Sequence, residues 1–255
     1  MRIISWNVNG IRACAKKGLL EFVRNHKSDI LCLQETKAHL EQCEDPLRNL
    51  GFSFANWSSA HRKGYSGVAT FSVLKPMGVQ CGIDVHAYDC EGRFVISDYG
   101  EFELYNIYFP NGGSGEERHH FKQRFLKDLA HHLTPKVTAG KKLIVVGDYN
   151  VAHAEIDVFD PVRLSTHSGF LPEEREWFTS FLQLGFVDTF RLYHPNERDK
   201  YTWWNYREFA RISNRGWRID YICVSENLRG SLRSAEVMDE IEGSDHCPVA
   251  VTLEL

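Results

Sequence analysis

The chain has 255 residues, with 34 acids against 30 bases, a formal net charge of −4, and 43 % hydrophobic and 13 % aromatic residues. This length and apolar share can bury a core without disulfides or structural metal, which excludes disordered, collagen-like and mini-protein classes. The acid excess counts against a sequence-blind DNA binder, which usually carries surplus bases.

The first strand is expected at Arg2–Asn7. Lys16 and Lys17 follow before any apolar leader could form, so no signal peptide is expected. Further strand-like runs are Asp29–Glu35, Phe52–Trp57, Gly67–Val73, Phe94–Tyr99, Glu103–Phe109, Lys142–Asp148, Arg218–Val224 and Val249–Leu255. The runs Ile30–Leu33 and Leu143–Val146 are continuously apolar, as in strands covered on both faces, yet far too short to cross a bilayer. Between the strands, Phe121, Phe125, Leu129 and Leu133 mark one face of a helix over Glu117–Leu133. Pro172, followed by Glu173 and Glu174, opens a second helix that Gly185 can end. The seven cysteines are odd in number and form no Cys-x-x-Cys; Cys32 and Cys223 lie inside apolar runs. A reduced cytoplasmic protein is therefore expected, without a zinc site or disulfide framework. The alternation reads as an α/β fold. The strand-rich halves, roughly 1–110 and 140–255, are expected to form two packed sheets in a single domain over 1–255, because nothing between them reads as a linker.

One feature recurs along this pattern: an acid or amide stands at the edge of a strand. Asn7 and Asn9 end the first run, Glu35 the second, and Asp148 and Asn150 another; Asp220 and the pair Asp245-His246 stand before two late runs. Each alone is an ordinary turn former. Together they form a set rich in hard oxygen donors with one histidine, which suits Mg²⁺ or Mn²⁺ and hydrolysis of a phosphate ester.

Seven ordered blocks carry a specific resemblance. They are Trp6–Ala13, Leu33–Lys37, Asn106–Gly112, Gly147–Asn150, Gly169–Arg175, Trp217–Tyr221 and Ser244–Pro248. Across the whole chain they resemble the exonuclease III / apurinic-apyrimidinic endonuclease family, in its prokaryotic form. The resemblance implies a four-layered α/β sandwich, in which two packed mixed β-sheets are flanked by helices (the DNase I-like fold). It implies a metal-dependent DNA repair nuclease that cuts 5′ of abasic sites and processes 3′ ends. Glu35, Asn7 and Asp245 would hold Mg²⁺, with Mn²⁺ also fitting. Asp148 would position the attacking water and Asn150 would orient it. His246, oriented by Asp220, would hydrogen-bond or polarise the scissile phosphate, with either Asp148 or His246 as the base, and Tyr108 and Asn111 would contact the same group. Beside Asp220 a neutral imidazole is a reasonable partner for the phosphate in either scheme.

The implied partner is double-stranded DNA with abasic or 3′-blocked lesions, bound by a monomer. Arg12, Lys17, Lys37 and Tyr65 match positions that grip phosphates. Between Lys200 and Arg218, five bases interleave with six aromatics, as in a nucleic-acid groove. Within that segment Trp204 is expected in the core, while Trp203 and Trp217, with Ile219 below, line a pocket for the lesion sugar. Arg207 stands where relatives insert a wedge into DNA. His167 departs from the small residue expected beside that pocket and could narrow it. Mainly 3′-end processing, with weak abasic-site cleavage, is the resulting alternative. A non-DNA phosphodiesterase of the same superfamily and a non-catalytic DNA-binding scaffold are the others. The net charge is expected to divide into a basic cleft rim and an acidic back.

Overall fold

The computed structural model describes residues 1–255. All nine runs read as strands are strands, with ends shifted by at most two residues. Five further strands escaped the sequence reading: Gly78–Gln80, Phe186–Asp188, Trp203–Trp204, Gly216–Trp217 and Leu232–Val237. Four of them span only two or three residues, too short to show a period. The fifth lies at a sheet edge, and a bulge between Leu232 and Ser234 breaks its alternation. Leu232 and Ala235 are buried three positions apart, with Arg233 exposed between them, so no period of two is visible.

Twelve of the strands form two six-stranded sheets, and Trp203–Trp204 pairs with Gly216–Trp217 in a separate two-stranded one. The first runs in the order Leu232–Val237, Val249–Leu253, Arg2–Asn7, Ile30–Gln34, Val68–Ser72, Phe54–Ser58. The second runs Gly78–Gln80, Phe94–Asp98, Glu103–Tyr108, Leu143–Asp148, Asp220–Ser225, Phe186–Asp188. The sheets do not correspond to the two halves of the chain. The last strand, Val249–Leu253, pairs antiparallel with the first, Arg2–Asn7, so both termini share one sheet. Alternation of apolar residues cannot specify such long-range pairing, which depends on matching of edges in space.

The inner faces of the sheets meet over Ile3, Ile30, Cys32, Leu104, Ile144, Val146, Ile222 and Val251. The continuous apolar runs are thereby explained, since these strands are covered on both sides. The second sheet's outer face packs on helices Glu116–Thr138 and Pro172–Gln183 through Phe125, Leu129, Leu133, Phe178 and Phe181. The first sheet's outer face packs on short helices at Ile11–Ala15, Leu19–Asn25 and Asp45–Asn49. The result is the expected four-layered α/β sandwich. Each fully buried Leu or Phe in it contributes roughly 1.5–3 kcal/mol.

At one end of the interior, polar groups replace the apolar contacts. Gln34 Nε2 donates to Ser5 Oγ and to Asn106 Oδ1, and the Asn106 amide donates to the Ala69 carbonyl and Thr70 Oγ1. This network fastens both sheets together directly beneath the strand ends that carry the acids and amides. Gly147 sits on the same level with φ 141°; a Cβ there would lie 1.9 Å from the Ile107 carbonyl oxygen. Only glycine lets the backbone before Asp148 approach the neighbouring strand so closely.

Candidate active site

Strand direction explains how distant residues converge. Asn7, Tyr108 and Asp148 end their strands, and Glu35 follows Gln34 at the end of another. Asp220 begins a strand antiparallel to the one ending in Asp148, with Asp220 and Asp148 directly paired in register. His246 precedes a strand antiparallel to Arg2–Asn7. Strand starts and strand ends therefore meet on one edge of the sandwich. Asn9, Glu35, Lys37 and Asn150 all have left-handed backbones, with φ of 43°, 49°, 49° and 51°. Such clustering of costly conformations is typical of functional sites.

The centre is a buried row of three ionisable groups. His246 Nδ1 lies 2.8 Å from Asp220 Oδ2, and His246 Nε2 lies 3.9 Å from Asp148 Oδ2. Burial alone would lower the imidazole pKa. The charge and hydrogen bond of Asp220 outweigh it, assisted by Asp148 and Asp245, and raise it to about 10. Carboxylates on both sides therefore favour the protonated ring over the neutral one. Asp148 moves upward to about 7, chiefly through burial; His246 opposes the shift, while Asp220 and Glu35 reinforce it. Three amide hydrogens aim the Asp148 carboxylate. Asn7 Nδ2 and Asn150 Nδ2 donate to Oδ2 at 2.9 and 3.1 Å, and the Asn150 backbone donates to Oδ1 at 2.9 Å.

Glu35 borders this row. Its Oε1 accepts from Asn7 Nδ2 at 2.9 Å and its Oε2 pairs with Lys37 Nζ at 2.7 Å. The Lys37 ammonium also donates to Asn9 Oδ1, and the Asn9 amide donates to Asp245 Oδ1 at 2.9 Å. A cation therefore already rests among oxygens of Glu35 and Asn9. Carboxylate and imidazole donors of Glu35, Asp148 and His246 lie within 4.8 Å of one another. This donor set, hard oxygens with one histidine, fits Mg²⁺ or Mn²⁺. Burial would raise the Asp245 pKa. The His246 charge and hydrogen bonds from Asn9 and Trp203 prevail and hold it below the usual range.

The row opens into a cleft of about 1000 Å³. Asn111 Nδ2 donates to Asn150 Oδ1 at 3.0 Å, and the buried Tyr108 ring faces the same space. Arg93 is buried behind Tyr108: it donates to the Tyr108 carbonyl at 2.8 Å and stacks on the ring at 4.9 Å. Trp203 and Trp217 meet edge to face at 6.2 Å and form an aromatic wall with Ile219. Trp203 Nε1 donates to Asp245 Oδ2, which ties that wall to the acids. Trp204 is buried, as expected. His167 is exposed on the cleft rim.

The basic set is distributed differently from the sequence reading. Of the five bases between Lys200 and Arg218, only Arg207 and Arg215 line the cleft. Lys200 pairs with Asp239; Arg211 donates to the Asp239 and Ile241 carbonyls; Arg218 is buried between Asp157 and Asp188. The composition of a segment does not reveal which bases have internal partners. Arg163 joins the rim and had no signal in the sequence. Arg12 and Lys37, with Lys16, line an adjoining hollow of about 830 Å³. Lys17 lies over the Tyr206 ring at 5.3 Å, and Tyr65 Oη accepts from Arg93 and Arg118. Lys122 and Glu174 were also missed. Lys122 shares the face of Phe125 and Leu129, and a charge on an apolar stripe was the available signal.

Residues 4–246 match the model of the endonuclease/exonuclease/phosphatase family. An exodeoxyribonuclease of Bacillus subtilis is 40 % identical over the full length of both chains. A DNA repair nuclease of Danio rerio is 39 % identical over 99 % of this chain and 82 % of its own. Among solved structures, an AP endonuclease from Archaeoglobus fulgidus superposes with a TM-score of 0.90 at 31 % identity, covering all of both chains. A 3′ phosphatase from Neisseria, bound to a product DNA hairpin, gives 0.91 at 28 % identity with the same coverage. The resemblance carried by the seven sequence blocks therefore holds along the whole length, and the chain belongs to the endonuclease/exonuclease/phosphatase family.

Proposed function

We propose that the chain is a divalent-metal-dependent DNA repair nuclease that hydrolyses phosphodiester bonds 5′ of abasic sites and trims blocked 3′ ends. The observation that carries this reading is the buried Asp220–His246–Asp148 row opening beside Glu35 into a cleft walled by Trp203 and Trp217. Glu35, Asn7 and Asp245 would hold Mg²⁺, or Mn²⁺ in its place. When bound, the metal supplies Lewis-acid neutralisation of charge developing on the phosphate.

The chain's own residues account for the remaining chemistry. Asp148, raised toward neutrality, takes the proton of the attacking water, and Asn150 and Asn7 fix the direction of its oxygens. Protonated His246 donates a charge-assisted hydrogen bond to the phosphate, with Asp220 stabilising the imidazolium. As the water oxygen bonds to phosphorus the P–O3′ bond breaks, and the released 3′ oxygen takes a proton from solvent water in the open cleft. Tyr108 and Asn111 add neutral donors to the same group. Arg12, Lys17, Lys37, Tyr65 and Arg207 serve the flanking duplex, and Trp203, Trp217 and Ile219 accept the unstacked sugar. One domain over 1–255, acting as a cytoplasmic monomer, suffices for this.

The test is a labelled duplex with one abasic analogue, beside a duplex ending in a 3′-phosphate, each with Mg²⁺. Both are expected to be processed, and chelation with EDTA should abolish turnover while Mn²⁺ restores it. Cleavage of neither, with EDTA-insensitive binding, would overturn the reading in favour of a scaffold. Turnover of an inositol-phosphate ester instead would favour the non-DNA phosphodiesterase.

His167 supports the second reading, in which 3′-end processing dominates, because its imidazole stands on the cleft rim. His167→Gly is then expected to raise kcat/KM for abasic-site cleavage about tenfold, with 3′-phosphate release unchanged. An unchanged ratio of the two activities would remove His167 from the account.

A further inference from the structure

A fully buried ion pair lies behind the cleft, outside the row of catalytic candidates. Lys122, from the long helix Glu116–Thr138, reaches Glu174 Oε1 at 2.5 Å, and both side chains are 0 % exposed. A buried pair of this kind gives little net stability compared with well-packed apolar residues. What it touches is more informative. Lys122 Nζ also donates to the backbone carbonyl of Asn150 at 2.8 Å. Glu174 Oε2 accepts from the Gly169 and Leu171 backbones at 2.6 and 3.1 Å.

Asn150 needs such an anchor. Its backbone is left-handed, which non-glycine residues adopt at a cost. In that conformation its side-chain amide donates to Asp148 Oδ2 and the Phe109 carbonyl, while its backbone N–H donates to Asp148 Oδ1. The carbonyl that swings with this conformation is the one Lys122 holds. A third loop closes over the lysine: a Cβ on Gly112, beside Asn111, would stand 3.2 Å from Lys122 Cδ and 2.7 Å from Ser168 Oγ. Burial lowers the Lys122 pKa, and the Glu174 charge and hydrogen bond oppose that shift without reversing it.

We propose that Lys122, seated on Glu174, is a positioning residue for the nuclease reaction: it holds the left-handed Asn150 backbone whose side chain and amide aim Asp148. Glu174 at the same time ties the rim loop that carries His167 and Gly169 to this anchor. The inference rests on the role given to Asn150, and the experiment separates the two.

Steady-state cleavage of the abasic duplex is compared across variants, normalised to folded protein. Lys122→Met is expected to lower kcat about 10- to 100-fold, as misplacement of a reacting group does, with KM within about threefold. Lys122→Met/Glu174→Gln removes the stranded buried charge; it should regain thermal stability yet keep the kcat defect. It also serves if the single variant does not fold. Leu133→Ala, a cavity on the same helix away from the loops, matches the loss of stability and should leave both kinetic constants unchanged. Wild-type kcat in the double variant, or an equal kcat loss in Leu133→Ala, would overturn the positioning role. Asn150→Ala tests the reading beneath it. If that variant cleaves normally, the role of Asn150 fails and the inference with it; if it is inactive while the double variant is not, the anchor alone fails.

Discussion

Asp220→Asn is expected to lower kcat on abasic duplex by on the order of 10³- to 10⁴-fold while lesion binding persists, because a carboxylate that orients a catalytic imidazole has that leverage. The side chain is buried, touches no open part of the cleft, and has one strong contact, 2.8 Å to His246 Nδ1. An amide there keeps the shape and removes the charge. The raised imidazole pKa then falls, because the largest favourable contribution to it is that charge. His246 is protonated below its pKa, so lowering that pKa moves the loss of the imidazolium, and with it the alkaline limb of kcat, to lower pH. A kcat–pH profile of Asp220→Asn measures both effects. A kcat within about threefold of wild type, or an unmoved alkaline limb, would remove the imidazolium from the mechanism.

The second large effect is on stability. Asp157→Asn is expected to destabilise the fold by about 3–5 kcal/mol, as breaking one side of a buried ion network does. Asp157 Oδ1 accepts from Arg218 Nε at 2.7 Å and from Arg191 Nη2 at 2.6 Å, and Arg218 Nη2 continues to Asp188 Oδ2 at 2.7 Å. All but Arg191 are fully or nearly fully buried. Burial raises the Asp157 pKa, but the two guanidinium groups outweigh it and bring it down to about 2. An unfolded aspartate titrates higher, at about 3.9. The contribution of this group is therefore fully present above about pH 4 and is lost as pH falls toward about 2. Urea unfolding at pH 7 should show the full loss in Asp157→Asn. Between about pH 4 and 2 the variant's stability should fall less steeply than that of the parent. A difference under about 1 kcal/mol at pH 7 would place the network among exposed pairs of little consequence.

Much of the architecture was legible along the chain. The apolar runs at Ile30–Leu33 and Leu143–Val146 announced strands covered on both faces, and the four-residue repeat from Phe125 to Leu133 announced a core-facing helix. These patterns are local, so a linear reading reaches them. The acids and amides at the strand edges were legible for the same reason: a strand end leaves a mark in the sequence, and seven ordered blocks linked those marks to one family. Asn7, Glu35, Tyr108, Asn111, Asp148, Asn150, Asp220, Asp245 and His246 do border one cleft or the row behind it.

Partnership was not legible. The halves of the chain did not predict the sheets, because the last strand pairs beside the first. The surplus of bases from Lys200 to Arg218 looked like a groove, yet three of the five find internal partners from distant segments. Lys37 rests on Glu35, while Arg163, far from that segment, reaches the rim. The net charge of −4 is an average, and DNA responds to the local field along the cleft. The sequence by itself determined the longer elements, the family and the chemical types at the strand edges. The tertiary structure alone decided which charges are neutralised in the interior, which reach the cleft, and that Lys122 stands behind Asn150. Charge pairing and burial act over ångströms between residues tens of positions apart, and only folding brings those distances into being.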